Sequence, residues 1–153
     1  MCTAFSALQA LSAHKRDPEV TRRILVEAEV HLRFSCELYE LQIKRGDFFV
    51  HEHPATATSW KCECVLRLMA IPGVIATVAD QCQYGLTSVG PMGPGPARKT
   101  TRFLTNSVHI ARELDKRCPG DHQHVQPIRG RAAAAQRNPA EPAPYTHLTL
   151  PTI

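Results

Sequence analysis

The 153-residue sequence has no apolar run of membrane-spanning length, and its first residues lack the charged head and long apolar core of a signal peptide. Its six cysteines are too few and too scattered to indicate a secreted disulfide scaffold. It contains no internal repeat. We therefore expect an intracellular protein, nuclear or cytoplasmic, with reduced thiols and no membrane partner. An apolar content of 43% is enough for one globular domain with a real core.

Charge is distributed unevenly along the chain. Residues 98–153 carry 9 basic and 4 acidic groups, whereas residues 1–97 carry 9 and 10. A basic C-terminal part favours a polyanionic partner, although a solvated basic surface explains the same composition. If the partner is a nucleic acid, DNA being the one we expect, the contacts should come from Arg98, Lys99, Arg129 and Arg131.

One long helix is predicted over residues 18–45. Asp17 is a good N-cap, Pro18 suits the first helical position, and apolar residues recur with a period near 3.6 from Val20 to Ile43. Lys44 and Arg45 favour a helix C-terminus, and Gly46 ends the pattern.

The residues after Gly46 predict a short strand, 48–52, buried on both faces, with the carboxylate of Glu52 where it ends. Strands at 74–79 and 102–106 and helices at 60–70 and 108–117 complete an α/β fold class. In open α/β sheets ligands bind at the carboxyl ends of strands, which makes Glu52 a candidate site residue. The Gly/Pro-rich stretch 85–96 is expected to be an irregular loop.

The segment Tyr145–Ile153 resembles a translated sequencing adapter, so it is left out of the functional interpretation. We expect residues 1–137 to form the domain and residues 138–153 to be a disordered tail that packs against nothing. Both ends of the chain are then cuts, and the natural protein is longer.

Three motifs resemble the DNA cytosine-5 methyltransferases, in their phage-type and retroelement-associated form. Cys2-Thr3-Ala4-Phe5-Ser6 resembles the nucleophile loop, and His51-Glu52-His53-Pro54 resembles the Glu-Asn-Val or Glu-Asn-Pro motif. Cys82-Gln83-Tyr84-Gly85 followed by the stretch from Arg98 to Asn106 resembles a third conserved combination of that family. The resemblance implies the second half of a Rossmann-like methyltransferase sheet, with flanking helices and with its last strand antiparallel.

The resemblance also implies roles. Cys2 would be the nucleophile that adds to cytosine C6, Glu52 the carboxyl group that contacts the ring, and Arg102 the arginine that contacts the base. A flipped base must touch all three, so Cys2, Glu52 and Arg102 should converge on one pocket, with Glu52 and Arg102 facing each other across its mouth.

The sequence departs from the family pattern at several places. His53 stands where the family has asparagine, and Thr100 where it has an earlier arginine. The glycine-rich loop that binds S-adenosylmethionine in this family is missing, so that cofactor is expected only in the intact parent. The leading interpretation is a truncated methyltransferase-like domain. A non-catalytic nucleic-acid-binding segment of a retroelement polyprotein is the alternative.

A zinc-stabilised interaction module is a third possibility. Cys118-x3-His122-x-His124 offers thiolate and imidazole ligands, and so does the set His51, His53, Cys62 and Cys64. Neither spacing matches a known zinc signature, so no metal ligand is assigned from the sequence. Cys36 and Cys82 are interpreted as packed thiols.

Overall fold

The long helix forms as predicted. The protein is described here by a computed structural model that covers residues 3–6 and 16–125. Helix α1 spans Pro18–Arg45, and the Asp17 carboxylate accepts a hydrogen bond of 2.8 Å from the Glu19 amide at its start. Gly46 ends the helix with a φ of 78°, a left-handed conformation that glycine adopts without strain.

The two later helices are shorter than the sequence predicts. The predicted helix 60–70 is divided into a 3-10 turn, Thr58–Lys61, and helix α2, Glu63–Met69. Helix α3 spans Val108–Glu113 and is capped by Ser107, whose hydroxyl accepts from the Ile110 amide. Two further 3-10 turns occupy Thr3–Phe5 and Gln81–Tyr84.

The main sheet has three strands in the order β1-β5-β2, where β1 is Val50–Pro54, β2 is Ile75–Asp80 and β5 is Thr100–Thr105. Strand β5 pairs antiparallel with both neighbours, so β1 and β2 run in the same direction. The expected reversal of the last strand is therefore confirmed. The chain is a mixed α/β protein with small antiparallel sheets.

The prediction for the start of the first strand is wrong in detail. Phe48 precedes the strand and is 62% exposed, and Val50 is 41% exposed, so the strand is not buried on both faces. Only Phe49 of this trio is buried, where its ring stacks on Tyr39 of α1 with 4.8 Å between centroids. A run of three apolar residues does not show which of their side chains will be buried in the core.

The Gly/Pro-rich stretch is ordered, contrary to the expectation of an irregular loop. It forms a hairpin of β3, Thr87–Gly90, and β4, Gly93–Pro96, with a left-handed Gly93 at its turn. The hairpin packs against Val125: a Cβ added at Gly95 would lie only 2.9 Å from the Val125 Cγ2 atom. The glycines here allow the Val125 side chain to pack closely on the hairpin backbone. Composition alone does not distinguish this use of glycine from its use in a flexible loop.

The hydrophobic core lies between α1, α2 and the sheet. Its members, among the described residues, are Phe5, Ala28, Leu32, Cys36, Phe49, Ala57, Trp60, Val65, Leu68 and Leu104. The opposite side of α1 exposes apolar side chains, including Val30 at 61% and Phe34 at 58%. No helix in the described ranges has the length and apolar character that crossing a bilayer requires. The tail predicted over 138–153 lies outside the described residues.

Candidate functional site

Two histidines of β1 are buried against helix α1. His51 and His53 are 5% and 7% exposed, and their ring centroids are 4.8 Å apart. The Trp60 ring packs edge-on against both, at 5.4 Å from His51 and 6.1 Å from His53. The period of two along the strand places both histidines on one face, toward the core.

Burial decides the protonation state of this pair. Desolvation, followed by the neighbouring His53, lowers the pKa of His51 to about 4. Desolvation also lowers the pKa of His53, whose Nδ1 contacts the Ser59 hydroxyl. Both rings are therefore neutral at neutral pH. The Nε2 atom of His51 is buried and has no hydrogen-bond partner within the described part of the chain.

A cavity of about 360 Å³ opens beside these rings. We call it the histidine cavity, and it is lined by Phe5, Ala28, His31, Leu32, Ser35, Tyr39, His51, Glu52 and His53. Phe5 belongs to the first motif of the sequence and Glu52 to the second. Phe5 and the His51–His53 stretch, from two distant motifs, thus line one cavity at the side of β1 that faces α1. The alternation along β1 directs the Glu52 side chain to the opposite face, away from His51 and His53.

The Glu52 carboxylate forms an ion pair with Lys99. Its carboxylate lies 3.7 Å from the Lys99 Nζ atom, and the two side chains are 28% and 24% exposed. The Oε1 atom of Glu52 is buried without a hydrogen-bond partner in the ranges that the structure covers. Lys99, predicted to contact nucleic acid, is thus also the cation that neutralises this carboxylate.

The prediction that Glu52 and Arg102 face each other is wrong. In the β1–β5 register Glu52 is opposite Phe103, and Arg102 is opposite His53. Directly opposed residues of an antiparallel pair share a face, so Glu52 and Arg102 leave the sheet on opposite faces. The Arg102 guanidinium instead lies over the Trp60 ring, 5.1 Å from its centroid.

Arg98 belongs to a network around Asp80, a fully buried carboxylate at the end of β2. Its oxygens accept from the Thr100 hydroxyl at 2.6 Å and the Cys118 amide at 3.0 Å, and they contact the Nε atoms of Arg117 at 3.2 Å and Arg98 at 3.5 Å. Burial alone raises the pKa of Asp80, but these hydrogen bonds and guanidinium groups outweigh it and hold the pKa below its usual range. The predicted residues Cys2, Arg129 and Arg131 lie outside the described ranges.

Four side chains that could bind a metal ion lie next to Asp80. The ligand atoms of Cys82, Cys118, His122 and His124 all lie within 4.8 Å of one another. The Cys118 sulfur is 3.6 Å from the Nε2 atom of His122 and 3.3 Å from that of His124. We call these four residues the Cys/His cluster. It is the single group of three or more potential metal ligands within residues 3–6 and 16–125.

The interpretation of Cys82 as a packed thiol is therefore wrong, because Cys82 is only partly buried and lies beside Cys118. Desolvation raises the pKa of Cys82, and the thiol of Cys118 adds to that effect. Cys36 is packed as predicted: it is 0% exposed, and burial followed by the proximity of Cys64 raises its pKa to about 12.

The second possible set of zinc ligands, His51, His53, Cys62 and Cys64, does not form one group. His51 and His53 line the histidine cavity, whereas Cys62 and Cys64 line a separate groove between α1 and α2 with Glu29, Arg33 and Glu37. The sequence alone suggested Cys118, His122 and His124 as a group but missed Cys82. The Gln81–Tyr84 turn that carries Cys82 is distant in sequence from these residues. It meets them because α3 runs back from the end of β5 and brings the segment after it to Asp80, at the end of β2.

Comparison with known proteins finds no matching protein family, no matching curated protein and no matching solved structure. The residues described here also do not fit S-adenosylmethionine. Their glycine-rich run, 90–95, forms the β3–β4 hairpin rather than a loop between a strand and a helix N-terminus.

Proposed function

We propose that this chain is a non-catalytic nucleic-acid-binding segment that resembles part of a DNA cytosine-5 methyltransferase, and that its histidine cavity receives a pyrimidine base of a nucleic acid. The catalytic interpretation is not proposed for it, because Glu52 and Arg102 leave the sheet on opposite faces and do not meet at one base. The observation that carries the proposal is the cavity that Phe5 shares with His51 and His53. These residues come from the two motifs that, by resemblance, lie near the target base.

The strand arrangement supports the same proposal. Strand β5 lies between β1 and β2 and runs opposite to both, as the resemblance implies for the last strand. This reversal brings the start of β5, with Lys99 just before it, to the edge where β1 ends near Glu52. A methyltransferase-like sheet of the Rossmann type is the arrangement that we propose for the parent protein.

The cavity has suitable chemistry for cytosine. The buried Nε2 atom of His51 has no hydrogen-bond partner among the described residues, so it can bond a polar atom of that base. Phe5 and Tyr39 supply aromatic surface for a base that has left its stack. Arg98 and Arg117 share the single charge of Asp80, which leaves positive charge near the same sheet edge for phosphates.

Base binding without turnover is the activity proposed for this chain. Arg102 does not line the histidine cavity but stacks on Trp60, and the described residues do not fit the methyl donor. Methyl transfer from S-adenosylmethionine to cytosine C5 would need an intact parent protein in which Glu52 and Arg102 meet at one base, and they do not meet in this fold. The cavity and the basic edge suit the alternative, a nucleic-acid-binding segment of a retroelement polyprotein.

Fluorescence anisotropy with two labelled DNA duplexes tests the proposal. One duplex carries an unpaired cytosine, and the other carries an abasic site at that position. We expect tighter binding to the cytosine duplex, loss of this preference in His51→Ala, and weaker binding to both duplexes as salt rises. His109→Ala is the matched control, because His109 is an exposed histidine outside the cavity.

Equal affinity for the two duplexes would overturn the base-binding proposal. A preference that survives His51→Ala would remove His51 from the site. Binding that is insensitive to salt, or to the paired change Arg98→Ala and Lys99→Ala, would refute the predicted phosphate contacts.

A further inference from the structure

The Cys/His cluster lies in the part of the molecule with the least apolar packing. From Gln81 to Val125, only Leu104 belongs to the main core cluster among the described residues; the other buried apolar side chains are Leu86, Ala97, Phe103 and Ala111. Helix α3 ends at Glu113, and the segment after it has no helix or strand up to Val125. Two backbone hydrogen bonds attach it, from the Asp80 amide to the Lys116 carbonyl and from the Val125 amide to the Pro96 carbonyl. Small units without a core of their own generally need a disulfide or a metal.

The distances within the cluster fit one particular coordination. In a tetrahedral zinc site with two sulfur and two nitrogen ligands, neighbouring ligand atoms are roughly 3.3–3.8 Å apart, given Zn–S near 2.3 Å and Zn–N near 2.0 Å. The two distances from the Cys118 sulfur, 3.6 Å and 3.3 Å, lie in this range. All four ligand atoms lie within 4.8 Å of one another, so shifts of about 1 Å complete the site.

The residues around the cluster orient its ligands. Both histidines present Nε2 to the Cys118 sulfur, and the Nδ1 atom of His122 is 2.8 Å from the Asp121 carboxylate. A carboxylate on the second ring nitrogen is the usual partner of a metal-bound histidine. The Gly120 amide donates to the Cys118 sulfur at 3.4 Å, which helps to fix the position of that sulfur. Gly120 has a φ of 82°, a conformation that suits glycine.

Asp80 connects the cluster to the sheet. The buried carboxylate of Asp80 accepts a hydrogen bond from the Cys118 amide. Directly after Asp80 the backbone enters the Gln81–Tyr84 turn, which carries Cys82. Two of the four ligands are thus positioned from the end of one strand. Val125, directly after His124, packs on Gly90 and Gly95 of the hairpin. The cluster therefore lies where β2, the hairpin and the segment after α3 meet.

We propose that Cys82, Cys118, His122 and His124 bind one zinc ion in a structural, four-coordinate site. Two thiolates and two imidazoles suit Zn²⁺, and they leave no open position for a reacting water. Two thiolates also balance the charge of the ion. The metal would take the place of a hydrophobic core for the hairpin and the segment after α3. This inference stands independently of the base-binding proposal, because it uses none of the residues of the histidine cavity.

Zinc content and cobalt spectroscopy test the site. The full chain, purified under reducing conditions, stripped of metal and reloaded, should hold one zinc ion. With Co²⁺ it should show the intense visible bands of tetrahedral cobalt and a thiolate-to-cobalt charge-transfer band. Cys82→Ser and His124→Asn should each lose the stoichiometric ion. Cys62→Ser is the matched control, since Cys62 lies in the groove between α1 and α2, and it should keep the ion.

The variant Asp121→Asn tests the zinc affinity without removing any of the four proposed ligands. Loss of this carboxylate should weaken zinc binding by about 10- to 100-fold while one ion per chain still binds at saturation. A weak octahedral cobalt spectrum, unchanged zinc content in Cys82→Ser, or a Cys82–Cys118 disulfide in the protein purified under reducing conditions would each overturn the proposal. The cobalt spectrum of the unmodified chain decides the matter even if a variant fails to fold.

Discussion

Two regions of this protein are held together by different forces. The first, from Pro18 to Val74, places a long helix and a short one on the sheet and contributes most of the apolar core. The second, from Gln81 to Val125, contains a Gly/Pro-rich hairpin, a short helix and an irregular segment that meet at Asp80 and the Cys/His cluster. Apolar packing is non-directional and tolerates small shifts, whereas a polar network depends on each partner. The two regions should therefore respond to different perturbations.

The largest expected effect is in the first region. Leu68→Ala removes a fully buried side chain from the contact of α2 with the core and should cost about 2–5 kcal/mol of unfolding free energy. Denaturant unfolding with and without a chelator measures it, and the loss should be the same in both. Leu66→Ala, on the same helix but 51% exposed, should cost far less. A loss of similar size in the two variants would contradict the placement of the core.

Acid should weaken the first region through its buried histidines. The pKa of His51 falls from 6.5 to about 4 on folding, so the unfolded state binds more protons below pH 6.5. Stability is complete above pH 6.5 and decreases by about 3 kcal/mol as the pH falls toward 4. The direction for His53 is the same.

Unfolding curves measured between pH 7 and 4 test this dependence. His51→Gln should flatten the pH dependence, and His109→Gln should leave it unchanged because His109 is exposed. Stability that rises as the pH falls below 6.5 would show that the imidazoles are charged in the folded state.

The smallest of the three effects is expected in the second region. Asp80→Asn removes the charge that two half-exposed guanidiniums and the Cys118 amide share, and it should cost about 2 kcal/mol. Zinc binding should weaken in the same variant, because Asp80 positions Cys118. Asp47→Asn is the control, since Asp47 is an exposed carboxylate paired with Arg45. Calorimetry and a zinc titration give the two values, and undiminished zinc affinity would separate Asp80 from the cluster.

Local patterns in the sequence determined α1 from cap to cap. Asp17, Pro18 and Gly46 act on the backbone within a few residues, so their meaning does not depend on the rest of the fold. The presence of strands near 50, 75 and 102 was likewise predictable from local patterns, whereas the reversal of the last strand was expected only from the family resemblance. The composition of 85–96 was misleading, because the same glycines serve flexible loops and close packing against Val125.

The tertiary structure alone decided which side chains meet. Glu52 and Arg102 are close in the register of β1 and β5, yet an offset of one residue puts them on opposite faces and leaves Lys99 to pair with Glu52. Cys82 joins Cys118, His122 and His124 only because α3 runs back from the end of β5 and brings the segment after it to Asp80, at the end of β2. Sequence spacing encodes neighbours along one element, whereas contacts between elements depend on strand register. For this reason the helix was predictable from the sequence, and the composition of both candidate sites was not.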